Sequence, residues 1–185
     1  MEEKQKKKKT VKDRWYRYRY RTRQPAPRIL KIQPQFTLEE LYIPPFAYER
    51  RRDEQGREYY LPMDVNRNPT GIRLLDLLAQ QLTDRTLDVG KFCKQAGLRY
   101  ADLDGFIFAL TGMSGADLRV AYQVRTADDL LRYTDMSIVD VASRSGCGSR
   151  VNLYYAFIRN TGTTPTDRRK QLRQDDDLGR YRLTL

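Results

Sequence analysis

The sequence has no histidine, only two cysteines, and no apolar run near the roughly 20 residues a membrane-spanning helix needs. Without histidine there is no Ser-His-Asp or Cys-His pair for nucleophilic catalysis. Cys93 and Cys147 alone cannot build a four-ligand zinc site of the Cys/His type. Two cysteines also make no disulfide framework, and they suit a reducing compartment. The first residues are charged and lack the apolar core of a secretory signal. The carboxylates are scattered and no phosphate-binding glycine loop is present, so enzymatic activity has no seat. The reading is a non-enzyme with no catalytic residue, cofactor, metal or membrane.

Acidic charge is also scarce. Asp and Glu number 24 against 35 Lys and Arg, a net charge of +11 that points to a polyanionic partner. The excess is uneven. Residues 1–28 hold 12 Lys/Arg and 3 Asp/Glu, net +9; residues 29–185 hold 23 and 21, net +2. Much of the positive charge is therefore a tail. Its first part, residues 1–13, has too little apolar surface to fold alone. Lys6, Lys7, Lys8 and Lys9 are candidates for salt-sensitive, non-specific phosphate contact. In residues 14–23, Arg17, Arg19, Arg21 and Arg23 alternate with Tyr16, Tyr18, Tyr20 and Thr22. An extended strand places the guanidinium groups on one face and the rings on the other. The rings can then pack on the domain and leave the arginines for phosphate. Alternatively both groups stack on unpaired bases, which makes an RNA or single-strand binder a second reading.

Residues 24–35 read as a Pro-punctuated linker. A short helix is expected over residues 36–42, with Thr37 as cap and Glu40 three positions on. Residues 46–50 and 58–61 flank a polar turn containing Gly56 and suggest a small β-hairpin. Residues 63–71 are turn-rich and look like a domain border. The segment before it is too short for a ligand-binding barrel of ordinary size. The domains expected are a basic tail (1–28), a linker with a small extension (29–71), a helical domain (72–173) and a C-terminal tail (174–185).

From Ile72 the pattern is helical. Leu74, Leu75, Leu77, Leu78 and Leu82 make an apolar first helix. Ser137 is a cap candidate before Ile138, Val141 and Ala142, which share one face. Gly146 suits a tight inter-helix turn, and Ser149 can cap a second helix whose inward face is Leu153, Ala156 and Phe157. Gly162 ends that helix, and Pro165 is read as a stop. This is a helix-turn-helix, whose second helix can lie in a DNA major groove. An earlier copy exists. Leu87, Phe92, Cys93 and Gly97 match Ile138, Val141, Ala142 and Gly146, while Leu103, Ile107 and Gly112 match Leu153, Phe157 and Gly162. The turn glycines are 49 residues apart and the closing glycines 50. Between the copies, residues 117–134 read as one helix with Leu118, Ala121, Val124, Ala127, Leu131 and Thr134 on a stripe. The fold class expected is mainly α, with two helix-turn-helix units, a long linker helix, and a basic N-terminal extension carrying the hairpin.

The ordered series Ala127, Leu130-Leu131, Thr134, Ile138, Val141-Ala142, Gly146, Leu153, Phe157, Arg159, Gly162, Thr164-Pro165 and Arg169 resembles the AraC/XylS family of bacterial transcription regulators. The resemblance covers about residues 74–173. It implies a seven-helix domain that reads two successive major-groove segments of double-stranded DNA, as a cytoplasmic, nucleoid-associated regulator. It also implies contact with RNA polymerase or another regulator, and leaves the oligomeric state open. Four positions depart from the family's pattern: Cys147 for phenylalanine, Gln123 for arginine, Arg168 for tyrosine, and Gly115 for proline.

The resemblance places the base-contacting positions of the second unit on Arg150, Val151, Asn152, Tyr154 and Tyr155, beside the cap Ser149. Arg144, Arg159 and Arg169 are assigned to phosphates, with Arg168, Lys170 and Arg173 as further candidates. Residues 136–173 carry seven Lys/Arg and two Asp/Glu, net +5; residues 86–128 carry five of each, net zero. In the first unit the matching positions fall on Ala101, Asp104 and Gly105, and Asp102 also has the wrong sign for phosphate. That unit is expected to read DNA poorly. Its extra aromatics, Phe106 and Phe108, either pack on the N-terminal region or form a protein contact. The second choice would make the chain an interaction adaptor derived from a regulator.

Overall fold

The computed structural model describes residues 33–64 and 69–183. In chain order its elements are α1 (Leu38–Leu41), β1 (Phe46–Arg52), β2 (Glu58–Pro62), α2 (Arg73–Thr83), α3 (Val89–Ala96), α4 (Tyr100–Thr111), α5 (Gly115–Tyr133), α6 (Ile138–Arg144), α7 (Arg150–Thr161), α8 (Pro165–Leu172) and β3 (Tyr181–Leu183). The helices α2 to α8 are the seven the resemblance implies. Two helix-turn-helix pairs, α3–α4 and α6–α7, stand on either side of α5. The duplication holds in the structure: α4 and α7 each run 12 residues and begin 50 positions apart.

Local chemistry sets most of these boundaries. Ser114, Ser137 and Ser149 each accept the amide N–H three residues on, at 3.2, 3.1 and 3.1 Å, satisfying one of the orphan donors at a helix start. Gly112 and Gly162 close α4 and α7 at φ 69° and 71°, a left-handed conformation that side chains resist. Pro165 is not a stop. It sits at the first position of α8, where a missing N–H costs nothing, and Thr164 caps that helix.

The helix α5 is the common wall of two cores. Leu118 packs with Leu41, Leu75, Leu78, Phe92, Cys93, Leu103 and Ile107 in the first. Val124, Ala127, Leu130 and Leu131 pack with Phe46, Val141, Ala142, Cys147, Leu153, Ala156 and Phe157 in the second. The stripe read from sequence is incomplete, because α5 is covered on more than one side. Tyr122, Thr126, Asp129 and Leu130 are also buried.

Residues 33–64, expected as a linker with a small extension, form part of the same body. The border at residue 72 does not separate the cores, since Leu41 lies in the first and Phe46 in the second. Thr37 and Glu40 form the expected capping box. Beyond it, the Tyr42 hydroxyl donates to Asp129 Oδ2 at 2.8 Å. Arg125 pairs with the same carboxylate, reaches Glu39 at 3.1 Å and lies 4.7 Å from the Tyr42 ring centroid. The Tyr122 hydroxyl accepts from the Ile43 N–H at 3.1 Å and shares a 2.6 Å hydrogen bond with Thr83 of α2. Burial raises the Asp129 carboxyl, against the pull of Arg125 and Tyr42. Burial and then the charge of Asp129 push the Tyr42 phenol up.

The hairpin also forms, and the C-terminal segment joins it. The sheet order is β2-β1-β3, all antiparallel, with Arg50 opposite Tyr60 and Phe46 opposite Leu183. Of the segment expected as a C-terminal tail, residues 181–183 are thus a strand of the sheet. Tyr181 stacks on Phe46 with centroids 5.3 Å apart and meets Tyr133 of α5 edge-on at 4.6 Å. Arg132 of α5 holds the buried Asp177 at 2.8 Å.

Removing the cation from the Tyr42 cluster strands a buried carboxylate. Arg125→Leu is expected to lower the unfolding free energy by about 3 kcal/mol, and Tyr42→Phe by about 1 kcal/mol. Urea denaturation checks both, and an Arg125→Leu protein as stable as wild type would contradict the assigned pairing.

Candidate nucleic-acid interface

Helix α7 buries Leu153, Ala156 and Phe157 and leaves the opposite side open. Val151, Tyr154 and Ile158 lie on that outer face at 61%, 43% and 40% exposure. With the half-buried Tyr155 they make a helical stripe of i, i+3, i+4 and i+7 spacing. Tyr154 and Tyr155 meet edge to face, centroids 5.4 Å apart. Arg150 opens the stripe, Arg159 closes it, and Arg144 lies on α6; all three are exposed. Their side chains have no hydrogen-bond or ion-pair partner among the described residues. Such a surface offers free guanidinium groups around an apolar and aromatic ridge, the mixture that can meet phosphates, guanine edges and thymine methyls.

Two assigned positions behave differently. The Asn152 amide turns back and donates to the Cys147 carbonyl at 3.1 Å, fixing the α6–α7 turn. Ser149 is occupied as the cap of α7.

Arg169, assigned to phosphate, is partly engaged within the fold. Its Nη2 donates to the Met136 carbonyl, and its Nε is buried with no partner among the described residues. Burial and then the neighbouring Arg173 pull its basicity down. The other α8 arginines are similarly engaged. Arg168 grips Asp128 of α5 through two hydrogen bonds of 3.0 and 2.8 Å. Arg173, just past the end of α8, donates to the Leu131 and Thr134 carbonyls and pairs with Asp135 at 2.8 Å. The net charge of residues 136–173 suggests one basic surface, but Arg168, Arg169 and Arg173 are engaged with α5 and the segment after it.

In the first unit, Asp104 is structural. Its Oδ1 accepts the Gly115 N–H at 2.7 Å and so caps the start of α5. A Cβ at Gly115 would come within 3.2 Å of the Ile107 side chain and 3.4 Å of that of Asp104, a tight fit. Asp102 is tied to Arg99 at 2.8 Å. Ala101 and Gly105 are exposed but carry nothing that reads a base. Phe106 and Phe108 are half-buried. The N–H groups of Gln35 and Phe36 both donate to the Leu110 carbonyl at 2.8 and 3.0 Å, so the N-terminal extension crosses the end of α4. Lys6 to Lys9, Arg17, Arg19, Arg21 and Arg23 lie outside the described residues.

The same arrangement of helices occurs in known structures. The C-terminal domain of AraT, a response regulator from Geobacillus stearothermophilus, aligns over 56% of this chain and 86% of its own at TM-score 0.51 and 19% identity. The two share a fold. The DNA-binding domain of AdpA, a global transcriptional factor in complex with a target DNA, aligns over 53% of this chain and 90% of its own at 28% identity and TM-score 0.49. The C-terminal domain of the response regulator yesN from Fusobacterium nucleatum aligns over 52% and 94% at 16% identity and TM-score 0.48. No family model matches the sequence. No curated protein matches it. No helix among the described residues is long and apolar enough to cross a membrane.

The capping role of Asp104 is open to direct test. Asp104→Ala is expected to lower stability by about 1 kcal/mol and to speed amide exchange at Gly115. Unchanged urea midpoint and unchanged exchange would return Asp104 to the set of surface residues.

Proposed function

We propose that the chain is a divergent AraC/XylS-type transcription regulator that binds double-stranded DNA and reads the major groove with its second helix-turn-helix. The observation that carries this reading is the exposed face of α7. Arg150, Val151, Tyr154, Tyr155 and Arg159 project from a helix whose other side is locked into the second core. Arg144, Arg150 and Arg159 are the cations of that unit left without partners among the described residues. The family resemblance of residues 74–173 and the fold shared with the AraT domain support the reading. In this scheme Arg150 addresses a guanine edge, Val151 a thymine methyl, and Arg144 and Arg159 the phosphates. The tail, net +9 over residues 1–28, adds sequence-independent attraction.

The first unit has a different part. Its α4 carries no free cation over the face that corresponds to the α7 stripe, and Asp104 is committed to α5. It holds the linker helix rather than reading bases. The footprint expected is therefore one major-groove segment with non-specific flanks.

Gel-shift titration on sites selected from random duplexes tests the assignment. Arg150→Ala is expected to lose about 1–3 kcal/mol of discrimination at one base position, whereas Arg144→Ala weakens all sequences alike. Equal affinity and equal preference across wild type, Arg150→Ala and Tyr155→Ala would refute this reading face. Deleting residues 1–23 is expected to weaken binding on every sequence. It should also flatten the salt dependence, by roughly 0.9 in slope for each phosphate the tail neutralises. An unchanged slope would remove the tail from the interface.

A further inference from the structure

A cleft of about 460 Å³ lies between α4 and α7, with α5 as its back wall. That volume is within the roughly 300–1,000 Å³ of small-molecule sites. The floor is apolar, with Leu103, Ile107, Cys147 and Ala156 all buried in the two cores. Small residues at the start of α5, Gly115 and Ala116, leave the space open. Two cations, Arg119 of α5 and Arg159 of α7, also line it. Both are exposed, and neither has a hydrogen-bond or ion-pair partner among the described residues.

Three other polar groups of the cleft are already used. Asn152 is bonded to the Cys147 carbonyl, Gln123 donates to the Gly146 carbonyl at 2.8 Å, and Asp104 holds the Gly115 N–H. The result is an apolar pocket with two free cations and no free anion to balance them.

We propose that this cleft binds a small amphipathic carboxylate, with its hydrocarbon body between α4 and α7 and its head group on Arg119 and Arg159. The charge pattern selects the occupant. A neutral hydrocarbon would use only the floor, and a bare anion would leave the floor unfilled. A cationic peptide would meet like charge. Bound there, the ligand touches both helix-turn-helix units and the helix that joins them, so it would stiffen their relative placement. The site shares Arg159 and Tyr155 with the proposed DNA face of α7, but Arg119 and the apolar floor lie outside that face.

The test uses the full chain with three probes: octanoate, its neutral counterpart 1-octanol, and inorganic phosphate. Thermal melts give affinity, and methyl chemical shifts of Leu103, Ile107 and Ala156 locate the site. Octanoate is expected to raise Tm saturably and to shift those methyls, with 1-octanol and phosphate both much weaker. Arg119→Gln should reduce octanoate affinity about tenfold, the usual loss for a charged hydrogen bond. Ala116→Phe fills the cleft from an exposed helix position and should abolish the methyl shifts while the protein stays folded. Methyl shifts that persist in Ala116→Phe would overturn the proposal. So would equal binding of 1-octanol, which denies the cations a role. Phosphate binding as well as octanoate would overturn it too, because the two arginines would then be a phosphate contact with no use for the floor. Absence of any saturable octanoate effect has the same consequence.

Discussion

Everything in this molecule depends on α5 being held as one wall between two cores. At 1.5 Å per residue its 19 residues span about 28 Å. Leu118 anchors one end in the first core, and Ala127, Leu130 and Leu131, each without measurable exposure, anchor the other in the second. The helix ends are tied in the sense its dipole favours. Ser114, Asp117 and Asp104 stand at the N-terminus, and the Asp104 carboxylate takes the first amide directly. At the C-terminus Arg173 covers the carbonyls of Leu131 and Thr134, while Arg169 covers that of Met136 just beyond. A frayed end would let α4 and α7 move relative to one another. Both ends are instead fixed by charged groups from elsewhere in the chain, Asp104 before the helix and the α8 arginines after it.

This arrangement decides which positive charges are available. Residues 136–173 carry seven Lys and Arg, yet Arg168, Arg169 and Arg173 are bound to α5 and the segment after it. Lys170 lies 3.9 Å from Asp167. Free charge is thus concentrated on α6 and α7, beside the ridge of Val151, Tyr154 and Ile158. A net charge summed over the segment overstates its electrostatic reach, because Arg168 and Arg173 are paired with Asp128 and Asp135, which lie outside it.

Local rules made the helical part legible in the sequence. Caps at Ser137 and Ser149, left-handed glycines at 97, 112 and 162, and the inward triplet Leu153, Ala156 and Phe157 each involve residues within one or two turns. The extension was opaque for the opposite reason. Tyr42 and Asp129 are 87 positions apart, and β1 finds β3 more than a hundred residues later; no periodicity announces such pairings. Asp129 reads as a solvated helix residue until Tyr42 and Arg125 are placed on it. Pro165 misled because proline at a helix start and proline as a breaker look alike without the Thr164 cap in view. Basic residues on α8 misled because an exposed guanidinium and one bonded to a carbonyl have the same letter.

The two helix-turn-helix copies carry the sharpest lesson about function. With α4 and α7 offset by 50 positions, Asp104 corresponds to Tyr154, Gly105 to Tyr155 and Tyr100 to Arg150. One position therefore caps the linker helix in the first unit and sits on the solvent-facing ridge in the second. The difference cannot be undone by a single substitution. Arginine at 104 would restore positive charge but remove the acceptor of the Gly115 amide, leaving a helix start with an unpaired donor. Asp102 would stay locked to Arg99, and Gly105 would still lower helix propensity by roughly 1 kcal/mol relative to alanine. The first unit is thus committed by its own packing: the α4 position that matches Tyr154 of the ridge instead holds the start of α5.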